Sequence, residues 1–94
     1  MEITELIWLD EILEKIELKH RVRQTEVEEV LEGRRKFRKM LKGRFHGEHI
    51  YRALGRTAAG RYLAVFFIYK QTCQALILSA RDMDVKERRS YGKK

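Results

Sequence analysis

Arg56 closes one strand-like run just before a turn, and Arg81 closes another just before an expected helix. Arg88 and Tyr91 lie three residues apart on that helix, a spacing that puts two side chains on one helix face. Strand ends at the same edge of a sheet converge, so these groups can surround one site. A planar guanidinium stays charged and meets two phosphate oxygens at once, which suits arginine to a phosphate ligand. Cleavage of RNA by its own 2′-OH needs a base for that proton, cations for the crowded phosphorane and an acid for the leaving oxygen. Arginine fits the second role. A Tyr, a Lys, a carboxylate or a His can serve the first and third. Arg52, Arg61, Lys86 and Arg88 lie on the same segments and are the expected contacts to an RNA backbone.

The charge distribution points the same way. Residues 1–32 hold ten Asp/Glu against four Lys/Arg, whereas residues 33–94 hold four against seventeen, for a net charge of +7. A chain with so cationic a second part is suited to a polyanion, and nucleic acid is the first candidate.

Other chemistries find little support. His20, His46 and His49 lack the helical register of a metal site with a carboxylate, and the lone Cys73 cannot build a thiolate site. No phosphate-binding glycine loop, dinucleotide fingerprint or nucleophile elbow occurs, so no cofactor is expected. Cys73, set among apolar neighbours in an expected strand, reads as a buried inert thiol and fits a reducing cytoplasm. There is no apolar run of ~18 residues, and the start of the chain is acidic, so neither secretion nor a membrane span is expected.

The elements that must position the arginines follow from periodicity. Leu9, Ile12, Leu13 and Ile16 mark an amphipathic helix. Thr25 and Glu28 have capping-box spacing ahead of a second helix with Val27, Val30 and Leu31 as its stripe, ended by Gly33. Strands are expected at 34–41, 49–55, 62–69 and 73–80, with a loop between Gly43 and Gly47 and a hairpin turn at 57–60. Asp84 and Glu87 repeat the capping-box spacing, opening a last helix that runs to about Tyr91. The expected fold is one α+β domain over residues 1–94. It has two N-terminal helices, a three- to four-stranded antiparallel meander and a short C-terminal helix, the helices packing on one face. A short strand before Trp8 is only weakly signalled.

Three segments, in order, carry a resemblance: Ala53-Leu54-Gly55-Arg56-Thr57, Ile77-Leu78-Ser79-Ala80-Arg81-Asp82-Met83 and Lys86-Glu87-Arg88-Arg89-Ser90-Tyr91. With Lys19-His20 and Glu26-Val27-Glu28-Glu29-Val30-Leu31 they resemble the BrnT toxin family over about Trp8 to Tyr91. The resemblance implies a RelE-like fold and a metal-independent endoribonuclease of a type II toxin–antitoxin pair. It also implies a cognate antitoxin, often with a ribbon-helix-helix part, and free or ribosome-bound RNA as target. A homodimer or a toxin–antitoxin heterotetramer would be the assembly. Carried over by position, Arg56 and Arg81 become transition-state cations, Tyr91 an acid, base or stacking residue, and Lys19 and Glu26 charged members of the pocket.

The chain departs from the family pattern in its first half. Leu9 separates Trp8 from Asp10, Arg21 stands where a glycine is usual, and Arg23 holds the place of a helix-capping Ser or Thr. A cap shifted to Thr25 would carry Glu26 out of a pocket. Two other expectations compete with the ribonuclease: a basic nucleic-acid-binding module without chemistry, with Tyr51, Tyr62 or Tyr69 stacking bases, and a partner-interaction module.

Overall fold

The computed structural model describes residues 1–41 and 48–93, so the expected loop with His46 lies outside the described residues. Its elements are β1 (Glu5–Ile7), α1 (Asp10–His20), α2 (Gln24–Glu32), β2 (Arg35–Leu41), β3 (His49–Arg56), β4 (Tyr62–Tyr69), β5 (Gln74–Asp82) and α3 (Val85–Gly92). The protein is therefore α+β. No described helix is long and apolar enough to cross a membrane.

The sheet corrects the expected meander. Its order is β1-β5-β4-β3-β2. The run β2 to β5 is antiparallel, but β1 pairs in parallel with β5, aligning Leu6 with Ala75 and Ile7 with Leu76. The sheet is five-stranded and mixed. Three residues are too few to show an alternating pattern, and a parallel partner some seventy residues away leaves no local trace in the sequence.

The helices also divide between the two faces rather than sharing one. Ile16, Val22, Val27, Val30 and Leu31 from the α1–α2 segment pack on Ala53, Leu63, Val65, Phe67, Ala75, Ile77 and Ala80. The alternate strand positions Leu54 and Ala64 face the other way, against Met83, Tyr62, Phe66 and Tyr91. A bulge makes this sidedness work: Phe66 pairs with Ser79 and Phe67 with Ile77, leaving Leu78 as an extra residue in β5. Both Ala80 and Ile77 are thereby fully buried on the α1/α2 side, three residues apart.

Two local expectations change. Helix α2 starts at Gln24 with Arg23 as its N-cap residue, so Thr25 is not the cap. Glu26 instead accepts the Arg23 N–H at 3.0 Å, because a long acidic side chain at the third helical position reaches back to the first free donor. Cys73 is half-buried in the β4–β5 turn at φ 67, and β5 begins at Gln74. The anticipated hairpin does form at 57–60: Gly60 donates to the Thr57 carbonyl at 2.9 Å and sits at φ 94, where a Cβ is strained.

Gly55 is where α2 meets the sheet. A Cβ there would lie 2.6 Å from Val30 Cγ1 and 3.2 Å from the Val30 carbonyl oxygen, so only glycine fits. Gly55→Ala is expected to destabilise the fold by about 2 kcal/mol through overpacking. Urea denaturation checks this; an unchanged midpoint would contradict so close an approach.

Candidate nucleic-acid interface

On the α3 side of the sheet, one end holds an open hollow of about 450 Å³ lined by Arg34, Arg56, Tyr62, Arg88, Tyr91 and Gly92. Each group comes from a different structural necessity. Arg34 follows the residue that ends α2, and Arg56 ends β3. Tyr62 opens β4 directly opposite Arg56 in the pairing. Arg88 and Tyr91 share a face of α3, as their spacing predicts.

The hollow is built from alternating cations and rings. The Arg88 guanidinium lies 4.2 Å from the Tyr62 ring centre and that of Arg56 lies 5.1 Å from it. The Arg34 guanidinium lies 5.9 Å from the Tyr91 ring. The two phenol rings meet edge to face at 6.1 Å. Among the described residues, Arg34, Arg56 and Arg88 have no carboxylate partner. Three uncompensated cations around one concavity concentrate positive potential there and favour an anion. Arg56 is further oriented by the tight turn, donating from Nε to the Gly60 carbonyl at 3.4 Å.

Helix α3 carries two of these groups, and its anchoring positions them. Asp84 accepts the Glu87 N–H at 2.8 Å, and Glu87 accepts the Asp84 N–H at 2.9 Å, the reciprocal cap expected from the sequence. Lys36 from β2 donates to the Ser90 carbonyl at 2.7 Å and to that of Lys93, complementing the negative end of the helix. The Tyr91 hydroxyl donates to the Arg34 carbonyl at 3.0 Å.

Glu87 is the deepest of these anchors, its side chain only 3% exposed. Arg81 grips it with both terminal nitrogens, at 2.6 and 3.0 Å, while Arg52 reaches it at 3.3 Å. Arg81 also lies 5.2 Å from the Phe66 ring. Arg81 and Arg52 therefore sit beside the hollow with Glu87 as their shared counter-charge. The sequence order brings Arg81 and Arg56 to the same face of the sheet, yet Arg81 does not line the hollow.

Arg61 and Glu26 lie elsewhere. Arg61 donates to Asp82 at 2.8 and 3.3 Å, to Glu26 at 3.2 Å, and to the carbonyls of Arg21 at 2.6 Å and His20 at 2.9 Å. Every donor of its fork is engaged within the chain, where it ties the α1–α2 connection to the sheet. Lys19 and Lys86 are exposed, at the last turn of α1 and the first turn of α3, and neither lines the hollow. Of the three tyrosines expected to stack bases, Tyr51 and Tyr69 pack against the α1/α2 core and Tyr62 lines the hollow. Arg34 was not singled out by sequence; its one signal is its position immediately after the helix-ending Gly33. Among the described residues, no three His, Cys, Asp or Glu side chains gather as a metal would require.

These ion pairs set an acid limit on the fold. Burial pushes the Glu87 carboxyl up, but the Arg81 hydrogen bond and the Asp84 N–H outweigh it and hold the group below the usual glutamate range. The Arg61 hydrogen bond likewise holds Asp82 low. Folded values below unfolded ones mean stability that is full above the ordinary carboxylate range and is lost as pH falls through the folded values. Between about pH 5 and pH 3 the wild-type melting temperature is expected to fall more steeply than that of Glu87→Gln. Parallel curves would show that Glu87 carries no such linkage.

No protein-family model matches the sequence, and no curated protein matches it either.

Proposed function

We propose that this chain is a metal-independent endoribonuclease toxin of the BrnT type, RelE-like, from a type II toxin–antitoxin pair. The observation that carries the reading is the hollow of Arg34, Arg56 and Arg88 around Tyr62 and Tyr91, three cations without carboxylate partners among the described residues. The order α1, α2, β2–β5, α3 supports it as well; the parallel β1 lies outside the expected arrangement. In this reading a scissile phosphate enters the hollow and its non-bridging oxygens meet Arg56 and Arg88, with Arg34 as the third cation. The 2′-oxygen attacks phosphorus, the bond to the 5′-oxygen breaks, and a 2′,3′-cyclic phosphate and a 5′-hydroxyl result. One proton leaves the 2′-OH and one reaches the 5′-oxygen. The phenols of Tyr62 and Tyr91 are the lining groups able to exchange them. The negative charge gathered on the phosphorane is what the arginines stabilise. In the cell, a cognate antitoxin, ribbon-helix-helix in its DNA-binding part, would hold the activity silent in the cytoplasm.

A second reading has its own support. Among the described residues, the hollow is lined by no carboxylate or imidazole, and the Tyr91 hydroxyl already donates to the Arg34 carbonyl. That arrangement suits binding of a nucleic acid without cleavage. Labelled RNA incubated with the chain in EDTA separates the two. The proposal expects scission that a single 2′-deoxy substitution at the cut abolishes. Salt-dependent binding with intact RNA, on free RNA and on translating ribosomes alike, would establish the second reading instead.

A further inference from the structure

The hollow on the α3 side is more cationic than one phosphodiester requires. Arg34, Arg56 and Arg88 line it, all three are exposed, and none has a carboxylate partner among the described residues. Arg56 and Arg88 lie against one ring, Tyr62, and Arg34 lies against Tyr91, which meets Tyr62 edge to face. Three guanidinium forks thus border one concavity. An internal phosphodiester brings a single negative charge and a pair of non-bridging oxygens. A phosphate monoester brings roughly two charges near pH 7 and three strong acceptor oxygens. An oxygen for each fork is the closer match in both charge and donor count.

We propose that the hollow takes the terminal phosphate monoester of an RNA end in preference to an internal phosphodiester. The proposal rests on the reading of the hollow as a phosphate site, which both proposed functions share, and not on cleavage. Two kinds of end carry such a group. A 3′-phosphate is left when water opens a 2′,3′-cyclic phosphate, the bond to the 2′-oxygen breaking and that oxygen taking the proton. A 5′-phosphate is left when hydrolysis breaks the bond between phosphorus and the 3′-oxygen. The end is recognised by charge rather than by base: the Arg88 guanidinium lies 4.2 Å from the Tyr62 ring centre, so a base stacks on that face only by displacing it. A nucleic-acid end fits better than a phosphoprotein, because the surface stays cationic beside the hollow. Arg89 of α3 and Lys93 just after it are exposed and without carboxylate partners among the described residues, where further phosphates of a strand can meet them. In the cleavage reading the phosphorane carries the same double negative charge, so a monoester end resembles the transition state more closely than intact RNA does. Cut ends then compete with uncut RNA for the hollow.

The test titrates the full chain into a short DNA strand with fluorescein on a central base, which lacks the 2′-OH and so stays intact. Its ends carry hydroxyls only, a 3′- or a 5′-phosphate, or the matching methyl phosphate, and anisotropy reads binding at about 0.15 M salt. At the end the hollow accepts, the phosphate strand is expected to bind about tenfold tighter than its methyl phosphate, and the comparison of the two ends shows which one that is. Arg56→Ala and Arg88→Ala, each shown by circular dichroism to be folded, should erase the difference. Lys15→Ala, which removes the same charge from an exposed position on α1, should keep it. Equal affinity for phosphate and methyl phosphate at both ends, or a difference that survives both arginine variants, would overturn the proposal. Equal affinities that Arg56→Ala lowers throughout would remove the end preference and leave the phosphate site standing, whereas no saturable binding of any strand would remove both. A phosphoserine peptide that binds as tightly as the phosphate-ended strand would also overturn it, because the ligand would then be a phosphoprotein.

Discussion

Glu87→Ala is expected to destabilise the fold by about 3 kcal/mol, the lower end of what breaking a buried ion pair does. The reason is that one carboxylate, 3% exposed, answers two arginines whose side chains are 14% and 34% exposed. Its removal leaves Arg52 and Arg81 without a counter-charge and also strips α3 of half its cap. The partial exposure of Arg81 lets water compensate it, which is why the lower end of the range applies. For a domain of this size such a loss lowers the melting temperature by roughly 12–24 °C. Glu87→Gln keeps an acceptor for the Asp84 N–H and should fall between wild type and alanine. A melting temperature for Glu87→Ala within about 4 °C of wild type would show that α3 is held by its apolar contacts alone.

The second large effect concerns chemistry rather than folding. Arg56→Ala is expected to lower the rate of RNA cleavage about a hundredfold, or about 3 kcal/mol, if the cation meets phosphate oxygens mainly in the transition state. Arg56 is suited to this test because it is exposed, without a carboxylate partner among the described residues, and holds one long hydrogen bond to Gly60. Its loss should change stability by less than about 0.5 kcal/mol. Arg81→Ala makes the contrast. Its guanidinium is committed to Glu87, so its removal should first appear as lost stability and a loosened α3. A hundredfold loss in Arg81→Ala at unchanged stability would move the transition-state cation from the hollow to Arg81.

Much of this was legible in the sequence where the signal is local. The Asp84–Glu87 cap, the turn at Gly60, the long apolar run of β4 and the shared face of Arg88 and Tyr91 all follow from spacings of a few residues. What escaped depends on contacts distant along the chain. The pairing of β1 with β5 is one case, and the capture of Glu87 by Arg52, thirty-five positions away, is another. Glu87 was readable as a cap residue but not as the buried counter-charge of two arginines. Arg61 looked like any other basic residue of a cationic segment until the fold placed Asp82, Glu26 and two helix-end carbonyls around it. The bulge at Leu78 matters in the same way: one extra residue in β5 sets which side chains face α3, and alternation read straight through would reverse them.

The central claim is that the Arg34–Arg56–Arg88 hollow stabilises a phosphorane formed by the 2′-OH. The most direct measurement follows labelled RNA in EDTA with wild type and Arg56→Ala, beside the same RNA carrying one 2′-deoxy nucleotide at the mapped cut. Scission by wild type, about a hundredfold slower in Arg56→Ala and absent on the deoxy substrate, is the predicted result. Equal rates for wild type and a folded Arg56→Ala, or cleavage that survives the deoxy substitution, would contradict it.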